Sequence, residues 1–447
     1  MWDTWIYHHR NTFHLYYLTK AFGQLDGVGL AISRDGVTWL DRGKVIEKTA
    51  DATWLGSGAV WPVMHSAGQE ERFIMNFSEW RGDESLGRQT IFFAESSDLV
   101  HWTPLGASHE FRQDTRWYER NGRWDNIWPV SRPGGGYWGY WAATPKDRRV
   151  GFGFGASADG VSWQACEPAL LDDVPWGMPE AHSPEVAAVH RWQDKYYALA
   201  GLDDLEPFVL GNDFADFRPG QTTFIADSPA GPFVPAAKNR RLLVGNSSYF
   251  TRFVDTPDGV LVNHHSWELR QGAPLNVDDD TVCMAPLKRA VWDDEGTLRL
   301  KWWERNEEAK ARQVNLESPL IETAFDLAET LIVEGVMSLT SSPIGIYLQG
   351  TNGRGTGFLV RADGGVECGD IDDAGTGFER KGHVDRELAL EHQAEFRLLR
   401  RGRLTEFYLN DYLMHCYCLP ARGTGRIDLI GPAADFHDVQ AWYCAHG

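Results

Sequence analysis

Three segments of the chain carry carboxylates in a setting that suits covalent chemistry. They are Trp2-Asp3-Thr4-Trp5, Arg123-Trp124-Asp125 and Met178-Pro179-Glu180-Ala181-His182-Ser183-Pro184-Glu185. Each sits just before, or at the start of, an apolar run that reads as a strand. The first two echo one another, with a Trp-Asp pair leading into such a run. Glycosidic bond cleavage needs this kind of assembly. One carboxylate attacks the anomeric carbon or activates water, and a second, kept protonated, gives its proton to the leaving oxygen. A third fixes sugar hydroxyls and supports the oxocarbenium-like transition state. A single Asp beside a turn ordinarily binds backbone N–H groups. Acids at three related positions of a repeat point beyond that, to a shared site.

The elements that bring these acids together are visible as a recurring pattern. Residues 30–43 (LAISRDGVTWLDRG), 94–106 (AESSDLVHWTPLG), 155–168 (GASADGVSWQACEP) and 225–236 (IADSPAGPFVPA) each read as a strand, a Ser/Asp/Gly turn and an aromatic that opens the next strand. Asp and Gly tolerate the left-handed backbone that such turns need. The anchors Trp39, Trp102, Trp163 and Phe233 recur roughly every 60 to 70 residues, the size of a four-stranded propeller blade with long loops. A fifth unit follows in SSYFTRFVD, GVLVNHHSW, VCMAPLKRAVWD and GTLRLKWW. The expected fold is all-β. Residues 1–305 form a five-bladed β-propeller, 306–318 a linker, and 319–447 a β-sandwich built from short alternating strands with glycine-rich turns.

A propeller gathers the starts of its innermost strands around one axis, so Asp3, Asp125 and Glu180 or Glu185 are expected to face one funnel. The second blade brings small residues there, Gly56-Ser57-Gly58, and Ser57 is a candidate sugar contact. Trp2, Trp5, Trp54 and Trp124 flank these positions. An indole offers a flat apolar face and one N–H donor, which suits a sugar ring, although most of the 20 Trp of the chain are expected to fill the space between sheets. Arg123 is placed to pair with Asp125 or a hydroxyl. His182, His264 and His265 are further candidates for the funnel. Asp278-Asp279-Asp280 reads as a solvated loop, because three consecutive acids cannot all face one ion, and no metal or cofactor is expected.

A formal net charge of -20 argues against nucleic acid, whose binders need basic patches, and against anionic membrane surfaces. A neutral small glycoside or oligosaccharide is the simplest partner. The six cysteines show no zinc-type pairs and no disulfide framework, and read as reduced. With no signal-like segment in view, a cytoplasmic location is expected. Nothing in the sequence sets an oligomeric state.

Beside this reading stands a resemblance. MWDTWIYHHRNTFHLYYL resembles the first-blade segment of glycoside hydrolase family 32, the β-fructofuranosidases, where Asn-Asp-Pro-Asn-Gly precedes a similar strand. WLGSGAVWP is similar to the family's second-blade Ser-Gly-Ser segment, and Arg123-Trp124-Asp125 stands where the family has Arg-Asp-Pro. LTEFYLNDYLMHCYCL resembles the appended sandwich. The resemblance implies Asp3 as nucleophile and Asp125 as transition-state stabiliser. The family acid lies in Glu-Cys-Pro, and here that position is His182. Glu185, ten residues before Lys195, and Glu180, on the strand parity of His182, are the candidate acids, and His182 is a third. The first motif departs as well, which leaves arabinofuranosides in play beside fructofuranosides. Two other readings use the same scaffold: a fructosyl- or glycosyltransferase, and a non-catalytic carbohydrate-binding propeller.

Overall fold

The computed structural model describes residues 1–21, 24–63, 71–81, 89–172, 184–203, 219–243, 248–268, 281–316, 324–326, 329–340, 343–349, 355–371, 378–383, 386, 388–402, 404–418 and 424–445. Five antiparallel sheets follow one another along the chain. Their innermost strands are Trp2–His9, the split pair Trp54–Gly56 and Val60–Pro62, Trp124–Ser131, Glu185–Trp192 and Ser248–Thr256. These are the five blades, each assembled from contiguous sequence.

The Ser/Asp/Gly turns explain why the repeat folds as it does. In blade 1 the Ser33 hydroxyl accepts the Gly36 N–H (2.8 Å), while Asp35 Oδ1 accepts those of Val37 and Thr38 (2.7 Å each). Blade 2 repeats this with Ser96, Asp98 and Leu99, and blade 3 with Ser157, Asp159 and Gly160. The third residue lies at positive φ in each case: +77° at Gly36, +65° at Leu99 and +82° at Gly160. The turn carbonyl thus freed is taken up by the preceding blade. Tyr16 donates to Leu99 O (2.7 Å), Trp61 Nε1 to Gly160 O (2.8 Å), Tyr140 to Pro229 O (2.7 Å) and Tyr197 to Gly296 O (2.8 Å). An aromatic body buried between sheets, with one polar tip satisfied across the boundary, joins each consecutive pair from blade 1 to blade 5.

A second set of contacts lies nearer the axis. Asn76, fully buried in blade 2, exchanges two hydrogen bonds with the backbone of Ile127 in blade 3 (2.8 and 2.9 Å). Asn126 donates to Val186 O in blade 4 (3.2 Å), Gln221 accepts the Thr251 N–H of blade 5 (3.2 Å), and Asn263 of blade 5 donates to Thr4 O in blade 1 (3.2 Å). The last of these closes the ring across 259 positions of sequence.

The remaining strands form two sheets packed face to face. One contains Leu331–Ser338, Gln393–Arg401, Leu404–Leu409, Tyr412–Cys418 and Phe436–Cys444, and the other Ile344–Gln349, Gly355–Val360, Val366–Ile371 and Thr424–Ile430. Phe358 stacks on Phe407 in the core between them (5.2 Å). The first sheet continues into blade 5 through a bridge between Lys301 and Tyr412. The stretch expected as a linker is built into the structure instead. Residues 304–309 form a 3-10 turn whose Asn306 is buried, and Lys310–Val314 is a sheet-edge strand paired with the C-terminal strand. Its polar composition reflects an edge position rather than an unstructured connection. Cys166, Cys368, Cys416 and Cys444 are free thiols. No helix among the described residues is long and apolar enough to cross a membrane.

Candidate active site

Every described inner strand is irregular where it nears the axis. The register shifts between Trp2 and Thr4, between Asp125 and Trp128, between Val186 and Ala188, and between Tyr249 and Arg252, and blade 2 is interrupted between Gly56 and Val60. Such bulges add a residue to one strand and re-aim its side chains. Asp3, Asn126 and Phe250 take positive φ values of +35°, +61° and +55° to make them.

These turns bring Asp3, Asp125 and Glu185 together around two arginines. Arg123 donates from Nη2 to Glu185 Oε1 at close range and lies 3.4 Å from Asp125 Oδ2. The other Asp125 oxygen accepts a hydrogen bond from Ser78 (2.6 Å). Ser78 in turn accepts from Gln89 Nε2 (3.0 Å), and Gln89 Oε1 receives the Trp124 N–H (3.2 Å). Gly56 makes this possible: a Cβ there would lie 2.4 Å from Ser78 Oγ and 2.9 Å from Asp125 Oδ1. Its small size serves the Ser78–Asp125 contact. Burial raises the Asp125 pKa, while Arg123 and Ser78 pull it back.

Asp3 is held differently. Its side chain is 16% exposed, its Oδ1 accepts no hydrogen bond from the described residues, and His265 Nε2 lies 3.9 Å away. Burial pushes the Asp3 pKa well up, Glu185 and Asp125 add to the rise, and Arg252 and Arg123 oppose it. His265 is fully buried, and burial followed by His264 drives its pKa down to about 3, so it faces Asp3 as a neutral imidazole. Ser78 and His265 hold the same place in the repeat. Each lies two residues after a buried Asn, Asn76 or Asn263, that pins the next blade's inner strand.

Other expected contacts separate into two groups. Trp2 is half-buried, 5.4 Å from the His265 ring, and Trp54 stacks on Trp80 (5.7 Å) beside Gly56. Ser57 is buried, and its hydroxyl makes no hydrogen bond to a described residue. These remain with the site. Trp5 and Trp124 do not. Trp5 packs on Tyr16 in the core of blades 1 and 2. Trp124 is enclosed by Phe111, Tyr118 and Trp141 and donates to Phe111 O (2.9 Å). Neither leaves a ring face for a sugar. His264 also turns away, as alternation along a strand requires of the neighbour of His265. It meets Glu406 of the sandwich at 3.5 Å, where Lys288 (2.7 Å) and Tyr408 (2.5 Å) bind the same carboxylate. Cys416 completes a cluster with ligand-type atoms within 4.8 Å, but the Lys288 ammonium already neutralises Glu406, so it reads as an interdomain anchor. Glu180, His182 and Asp278-Asp279-Asp280 lie outside the described residues.

Arg252 was not expected. It is fully buried on the inner strand of blade 5, and Nη1 donates to Asn126 Oδ1 (3.1 Å). Its guanidinium carbon is 4.2 Å from the Phe250 ring centroid and 5.2 Å from that of Trp128. Burial lowers its pKa to about 9, and Asp3, Asp125 and Glu185 hold it up against a larger fall. The signal was present in SYFTRFVD, where a lone charge in an apolar strand demands partners.

The architecture, a ring of blades with an appended pair of packed sheets, is similar to that of several solved structures. The fold is that of the GH32 enzymes. A Bombyx mori GH32 β-fructofuranosidase is similar over 99% of this chain and 91% of its own, with a TM-score of 0.73 and 14% identity. A Lactobacillus gasseri sucrose-6-phosphate hydrolase is similar over 97% and 88%, with a TM-score of 0.70 and 15% identity. An Aspergillus awamori exo-inulinase is similar over 100% and 96%, with a TM-score of 0.67 and 12% identity. No family model and no curated protein sequence matches the chain.

Proposed function

We propose that this protein is a glycoside hydrolase that releases a terminal furanosyl unit, of fructofuranoside type, from an oligosaccharide or small glycoside. The observation that carries the reading is the gathering of Asp3, Asp125 and Glu185 from three blades around Arg123 and Arg252. Asp3 acts as the nucleophile. Its Oδ1, which accepts no hydrogen bond from the described residues, offers a lone pair to the anomeric carbon, and its bulged backbone aims it. Asp125, fixed by Ser78 and Arg123, hydrogen-bonds ring hydroxyls and stabilises the developing positive charge. Glu185, in its protonated form, gives its proton to the leaving oxygen and takes one back from water in the second step. The similar Bombyx mori enzyme is also known as a complex with sucrose, which makes sucrose the first substrate to try.

The purified protein is assayed on sucrose, short fructans and nitrophenyl furanosides, beside the Asp3→Asn variant. Release of the furanose by the parent and its loss in the variant, with folding unchanged, is the expected result. Saturable sugar binding without turnover on any furanoside would favour a binding propeller. Longer oligosaccharides at high donor concentration would mark a transferase.

A further inference from the structure

Arg252 presents an unused edge. Its Nη1 is tied to Asn126, but Nε and Nη2 have no hydrogen-bond partner among the described residues, although the side chain is fully buried. These two nitrogens are neighbours on one side of the guanidinium, the pair that forms its side-on fork. A buried, charged donor pair left unpaired is costly, and native structures rarely keep one without a function for it. No described carboxylate reaches Arg252 within ion-pair distance. Asp3 lies 3.9 Å from His265, and Asp125 and Glu185 engage Arg123, yet all three act on Arg252 electrostatically. The guanidinium thus belongs to the same buried charge cluster as the three carboxylates without forming an ion pair with any described one. Its orientation is fixed by the Asn126 bond and by the Phe250 and Trp128 rings.

We infer that Arg252 is a specificity-determining residue whose Nε and Nη2 edge grips two adjacent hydroxyl oxygens of the sugar ring being transferred. The inference rests on the furanosidase reading and names the recognised group within it. Neighbouring hydroxyls match the spacing of the fork. A substrate carboxylate or phosphate would match it too, but would add a negative charge beside Asp3, Asp125 and Glu185. The neutral diol is therefore the favoured ligand. Asn126 adjoins Asp125, so the same side chain also ties hydroxyl recognition to the bulge that aims the stabilising carboxylate.

The test compares the parent with Arg252→Lys and Arg252→Gln, each checked by thermal unfolding, on sucrose and on sucrose analogues lacking one ring hydroxyl of the fructosyl unit. Lysine keeps the charge but cannot form the fork. On sucrose, Arg252→Lys is expected to raise KM roughly 10- to 100-fold with a much smaller change in kcat. The deoxy analogues should cost the parent a similar factor and the variants almost nothing. Equal deoxy penalties in parent and variants would overturn the inference, since Arg252 would then act only on the protein. If the folded parent hydrolyses no furanoside, the functional reading fails, and the fork is tested by calorimetry with fructose and inorganic phosphate. Fructose binding lost in Arg252→Lys upholds the diol. Phosphate binding tighter than fructose binding and lost in the variant overturns it.

Discussion

Asp3 and Asp125 open two blades in nearly the same way. Each follows a Trp, each lies at a register shift of an innermost strand, and each is followed by a backbone pinned by a buried Asn of the preceding blade. Their surroundings nevertheless differ. Asp125 is fastened by Ser78 and Arg123, and its Trp124 is sealed in the core. One Asp3 oxygen accepts no hydrogen bond from the described residues, and its Trp2 is half-buried beside His265. Apart from Arg123, two residues before Asp125, the difference comes from one position on the preceding blade. Blade 2 supplies a hydroxyl donor, Ser78, and blade 5 a neutral imidazole, His265. The local motif sets the backbone, and the neighbouring blade decides whether the carboxylate is restrained or left free to react.

This contrast can be broken by substitution. The largest effect belongs to Asp3→Asn, which should lower kcat on the order of 10⁴-fold while leaving the unfolding transition unchanged. Comparable activity in the variant would remove Asp3 from the chemistry. Next come the paired tryptophans. Trp124→Ala should destabilise the protein by about 3–5 kcal/mol in denaturant titration, because it empties a closed aromatic cluster. Trp2→Ala should leave stability nearly intact and act on KM. Equal losses of stability would mean that the two Trp-Asp segments are not distinguished as described.

Asp125→Asn should reduce kcat by roughly 10²- to 10³-fold, as for loss of one preorganised charge in a transition state. The smallest effect is that of Ser78→Ala, roughly 10-fold in kcat/KM, and its signature is in the pH profile. The Ser78 hydrogen bond favours the charged form of Asp125 and pulls its pKa down against burial. Without it the pKa rises and the ionised fraction is lost sooner as pH falls. The acidic limb of kcat/KM should therefore move to higher pH. An unmoved limb would detach Ser78 from the ionisation of Asp125.

Much of this was legible along the chain. The Ser/Asp/Gly turns announced the blades, since their chemistry is local: a hydroxyl and a carboxylate capping N–H groups two and three residues away. The sandwich strands from Ile344 onward were readable from alternation, as were the strand starts that carry Asp3 and Asp125, while Glu180, His182 and Glu185 stayed open as alternatives for the acid. The polar stretch after residue 305 misled because an exposed edge strand and a linker share a composition. Trp5 and Trp124 misled because a Trp beside an acid looks the same in sequence whether its ring faces a cavity or a core.

By itself, the sequence determined where the chain turns, how often it repeats and which acids head its inner strands, since these depend on contacts a few residues apart. Only the tertiary structure decided the partners of those acids. Ser78 is 47 positions from Asp125, Arg252 is 126 from Asn126, and Asn263 is 259 from Thr4. The electrostatics of a buried carboxylate depend on such neighbours, and only closure of the ring brings them within reach.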